Sequence, residues 1–94
     1  MTVEGRLPSL DEAEFAAGVQ ELVDATAPRV FAVVAELGDR EDAYVTAWGL
    51  ELDDRAVLIV EGDRPSFMLL ASAERARQVL ARLGPVRLVW RAQP

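Results

Sequence analysis

Residues 71–90 read ASAERARQVLARLGPVRLVW, and this stretch decides the fold. Its first half has helical spacing: Ala76, Val79, Leu80 and Leu83 recur on one face, with Arg75, Gln78 and Arg82 on another. Ser72 stands at the capping position, where a hydroxyl accepts from a backbone N–H that the first turn leaves unpaired. Gly84-Pro85 then stops the helix in the expected order. The second half, Val86–Trp90, sets Val86, Leu88 and Trp90 against Arg87 and Val89, which is the period of a strand. A helix placed directly before the last strand lets the chain return to the sheet by a parallel or a skipped pairing, which a tight turn does not.

Upstream lie four apolar segments joined by short polar links. Val30–Leu37 (VFAVVAEL) is β-branched and almost wholly apolar, the signature of a central strand. After the loop Gly38–Asp42, Ala43–Leu52 alternates: Tyr44, Thr46, Trp48, Leu50 and Leu52 on one side, Val45, Ala47, Gly49 and Glu51 on the other. Asp53-Asp54 makes a tight turn into Ala56–Glu61, and Gly62-Asp63-Arg64-Pro65 makes another into Phe67–Leu70. Links this short favour an antiparallel meander. Ahead of the strands, Ser9 and Glu12 form a capping-box pattern, and Phe15, Val19, Leu22, Val23 and Thr26 share one stripe until Pro28 ends the helix. The opposite face is acidic, with Asp11, Glu14, Glu21 and Asp24.

The predicted fold is therefore α+β, a two-layer sandwich in one domain spanning residues 1–94. A mainly antiparallel sheet of about five strands carries two helices on one face, in the order α-β-β-β-β-α-β. Two helices cover one sheet face, so the other face must be solvated or covered by a partner. The composition bears on that choice. Of 94 residues, 51% are apolar, a high share for a chain that buries only ~60–65% of its unfolded surface. The surplus lies mainly in the strands and predicts self-association through a sheet face or edge.

Chemistry is narrowed by elimination. The chain has no His and no Cys, which removes a Ser-His-Asp triad, a thiol nucleophile, an ordinary zinc site and a disulfide framework. There is no Gly-rich phosphate loop, and no cofactor or metal is expected. Acid clusters at Glu36–Asp42, Asp53-Asp54 and Glu61–Asp63 fall at strand ends, where Asp and Gly suit turns; a carboxylate-based enzyme is the remaining catalytic possibility. No segment has the ~20 apolar residues of a membrane span, and the N-terminal residues lack a signal-peptide pattern, so a cytoplasmic location is expected. The Ala/Arg-rich composition, free of Lys and Asn, suits a GC-rich bacterial genome.

Charge is split along the chain. Residues 1–65 hold fifteen acids and five Arg, a net of −10, whereas residues 66–94 hold one acid and five Arg, a net of +4. Arg75, Arg77, Gln78 and Arg82 thus form a candidate interaction face for an acidic protein partner. The acidic remainder repels phosphate backbones, so nucleic acid is an unlikely partner. Trp48 and Trp90 are the candidate aromatic residues of an apolar pocket between sheet and helices, or of packing. The leading functional expectation is a small, non-enzymatic, homodimeric interaction or regulatory module; the alternative is a small-molecule-binding domain.

Overall fold

A computed structural model describes residues 11–92. Its elements are α1 (Glu12–Thr26), β1 (Arg29–Leu37), β2 (Asp42–Glu51), β3 (Ala56–Val60), β4 (Ser66–Leu70), α2 (Ala73–Leu80) with a 3-10 turn at Ala81–Leu83, and β5 (Val86–Trp90). The class is α+β and the order is the one the sequence predicts. The five strands form one antiparallel sheet in the order β4-β3-β2-β1-β5. Strands β1 to β4 are a meander. α2 then carries the chain from the β4 edge across the sheet to the opposite edge, where β5 pairs with β1.

One row of side chains explains why α2 can cross there. Trp90, Phe31, Gly49, Leu58 and Met68 are cross-strand neighbours, one from each strand, on the face that α2 covers. Phe31, Leu58 and Val33 are fully buried. The Phe31 ring lies across the backbone of Gly49, so closely that a Cβ at position 49 would overlap the ring. Trp90 meets Phe31 edge to face, with ring centroids 5.5 Å apart, and the Arg29 guanidinium sits 3.8 Å above the Trp90 ring. α2 meets this face through Ala73, Ala76 and Leu80; on the sheet, Ala47 and Ala56 are equally small and fully buried. Small residues on both sides let helix and sheet approach closely. The first turn of α2 is anchored twice: Ser72 Oγ accepts from Arg75 N–H at 3.1 Å, and Glu51 Oε2 accepts from Ala73 N–H at 2.9 Å.

Three local expectations are corrected. The α1 cap is Asp11, whose carboxylate accepts from Glu14 N–H at 2.8 Å; Ser9 lies outside the described residues. β2 does not alternate without interruption. A bulge at Thr46 shifts the register between Val33↔Ala47 and Val34↔Val45, so Tyr44 pairs with Ala35 and stands on the opposite face from Trp48. Leu83 does not line the α2 stripe. The helix tightens into a 3-10 turn after Leu80, which rotates the following residues, and Leu83 is 86% exposed.

α2 supplies the second layer. α1 adds no buried residue to it: Phe15, Val19, Leu22 and Val23 are 37–63% exposed. The reason lies at the junction with β1. Ala27 is extended (φ −60, ψ 135), as a residue before proline prefers, and Pro28 follows with its ring-fixed φ. The chain leaves the helix without the reversal that would fold α1 onto its own sheet.

Gly49→Ala is expected to destabilise the protein by about 1–3 kcal/mol through overpacking against Phe31, although alanine is ordinarily the better residue inside a strand; urea unfolding measures it. In the same assay Leu80→Ala should cost about 2–5 kcal/mol and Leu83→Ser no more than about 0.5 kcal/mol.

Candidate functional site

Alternation fills the second sheet face as fully as the first. Val89, Ala32, Trp48, Ile59 and Phe67 form a cross-strand row that spans all five strands. A second row, Val30, Leu50, Val57 and Leu69, runs beside it from β1 to β4. These rows hold no charged or polar side chain. Trp48 is 43% exposed, Phe67 77% and Leu69 68%, and no helix among the described residues lies over them. A half-buried antiparallel sheet ordinarily sets polar residues on its outer face. Here that face is as apolar as the core.

Polar groups are confined to the margin of this surface. At the β5 edge Arg87 pairs across with Val34, and its Nε donates to Glu36 Oε1 at 2.6 Å. Arg91 continues the ladder by donating its N–H to Val30, and alternation puts it on the side of Arg87 and Val89. Within the apolar rows, Val30, Trp48, Gly49, Leu50, Val57 and Ile59 line a shallow depression of about 310 Å³.

The two tryptophans singled out by sequence stand on opposite faces of the sheet. Trp90 is partly buried on the α2 side, and Trp48 is on the open side. They do not line one pocket. Of the candidate interaction residues, Arg75, Arg77 and Gln78 are on α2, and Arg82 is in the 3-10 turn that follows. Arg77 forms an ion pair with Glu74 one turn away, which holds that carboxyl below its usual value, and Arg75 donates to the Gln78 side chain at 3.4 Å. The basic stretch is therefore partly engaged within its own helix.

Of the acid clusters, Glu36, Glu41 and Asp42 line one open cavity of about 570 Å³ together with Arg40 and Arg87. Asp54 takes a two-pronged hydrogen bond from Arg55 at 2.9 and 2.7 Å in the β2–β3 turn, which lowers its pKa. A polar cleft of about 600 Å³ runs past Arg29, Glu51, Asp53, Asp54 and Ser72. Among the described residues no three acids are arranged to hold a metal ion, and no helix is long and apolar enough to cross a membrane.

Comparison with known proteins adds no relative: no family model, curated protein or solved structure matches the chain.

The open face was legible in the sequence as an apolar surplus in the strands. Its extent was not. Whether neighbouring apolar residues join into rows depends on strand order and register, which no local pattern contains.

α1 carries a titratable mark of its own. Accepting the backbone N–H of Glu14 holds the Asp11 carboxyl below its ordinary value of 3.8. A depressed carboxylate supports the folded helix above the unfolded pKa, and that support is lost as pH falls through the lowered folded value. Asp11→Ala should therefore reduce helicity by circular dichroism at pH 6, and the difference from the parent should fade once the pH drops below about 3.8. Asp11→Asn, a neutral cap, should remove this pH dependence while keeping helicity near the parent's pH 6 value.

Proposed function

We propose that this chain is a small, non-enzymatic protein-interaction module that works as a homodimer, with the open apolar face of the sheet as its contact surface. One observation carries the reading: two adjoining apolar rows reach across the sheet with no helix among the described residues over them. A contiguous apolar patch of this kind has a free-energy cost in water that a second protein surface removes. A second copy is the simplest partner, since a two-fold axis lets each copy cover the other's open face. The absence of His and Cys supports a role without catalysis.

Two other readings have less behind them. A small apolar ligand has the depression beside Trp48, which at about 310 Å³ is at the lower end of ligand-pocket volumes. An acidic partner at Arg75, Arg77, Gln78 and Arg82 meets a stretch in which Arg77 already has its counter-charge in Glu74.

Light scattering coupled to size exclusion at micromolar concentration should give twice the 10.3 kDa chain mass. Ile59→Asp or Phe67→Asp should shift it to the monomer and, because both side chains are well exposed within one chain, leave the α2-side core folded. In a Trp90→Phe variant, which isolates Trp48 as the fluorophore, dilution through the dissociation range should red-shift the emission. A monomer mass at all accessible concentrations would overturn the reading.

A further inference from the structure

We infer that the occupant of the open sheet face is helix α1 of a second copy, so that the dimer forms by reciprocal exchange of α1. The inference rests on the homodimer reading and adds the segment that makes the contact.

Each chain exposes two apolar surfaces that lack a cover. One is the α1 stripe of Phe15, Val19, Leu22 and Val23; the other is the sheet face around Trp48 and Ile59. Neither is stable alone. A helix of 15 residues with a glycine at its middle, Gly18, and no buried side chain is marginal in water. The simplest remedy is not taken in the structure: Ala27 is extended ahead of Pro28, and α1 buries no side chain. Short proline-bearing links of this sort favour exchange between copies over closure within one.

Other pairings of two copies leave one surface open. Helix against helix would keep both sheets bare, and sheet against sheet would keep both helices unsupported. Helix on sheet, made twice about a two-fold axis, covers all four. The dimensions agree: 15 residues of helix span about 22 Å, and five strands span about 19 Å.

The chain has no native cysteine, which allows a direct test. Leu22→Cys and Ile59→Cys are made in separate chains, mixed under mild oxidation and resolved on a non-reducing gel. A disulfide-linked pair of one variant with the other supports the exchange. The same two substitutions in a single chain should likewise link two chains. Closure into a cross-linked monomer would show α1 packing on its own sheet and overturn the inference. Linkage of Leu22→Cys only to itself would show helix–helix pairing and overturn it too. Leu22→Asp should weaken dimerisation roughly 100-fold. A dimer indifferent to Leu22→Asp and to both cysteine pairings would remove α1 from the interface while leaving the open-face dimer standing. A parent chain that is monomeric throughout would remove both.

Discussion

The ring of Phe31 lying on the bare backbone of Gly49 is the contact on which the rest of this fold depends. It joins β1 to β2 at the centre of the sheet and levels the face that α2 must cross. A side chain at position 49 would lift the ring and separate helix from sheet. Around this contact the core is built from a few large residues and many small ones, with Leu58 and Val33 beside Ala47, Ala56, Ala73 and Ala76. Small residues bring α2 close, and closeness lets Glu51 reach the Ala73 N–H at the start of the helix. Packing and hydrogen bonding on this side thus have one geometric origin.

The same sheet presents the opposite condition on its other side. Its rows are equally apolar, but the chain has only α2 to lay down, and α2 is committed to the first face. α1 has the amphipathic pattern of a covering helix and is held away from its own sheet by an extended two-residue link ending in Pro28. A covering element and an uncovered surface in the same chain, barred from meeting, form a self-complementary pair. That is the physical ground for reading the molecule as an interaction module. On the proposed dimer reading it would also account for the high apolar content of a short, acidic chain, part of whose core would be completed between molecules.

The acid and base content reads differently once the residues are placed. The basic stretch of α2 looks in sequence like an uninterrupted cationic face. In the structure Arg77 pairs with Glu74 and Arg75 with Gln78, both within a helical turn. Arg87 and Arg91, part of the basic C-terminal region in sequence, rim the open face because β5 is an edge strand next to β1, and Arg87 pairs there with Glu36. Position in the sheet, more than local charge density, decides which arginines border a contact surface.

The sequence by itself determined the class, the element order and most element boundaries. These are local matters: the apolar period, the Ser72 cap, the Gly84-Pro85 stop and the short polar turns act over a few residues. Its errors were local competitions with close outcomes, such as Asp11 capping α1 and a 3-10 turn exposing Leu83. The Thr46 bulge was illegible because a bulge is a property of two strands, and one strand's alternation cannot show where its partner skips. Only the tertiary structure decided that β5 returns to pair with β1, that Trp48 and Trp90 fall on opposite faces, and that α1 buries none of its described side chains. Each depends on which distant segments become neighbours, and the free energy that selects those neighbours comes from buried area summed over the whole sheet, which no window of sequence contains.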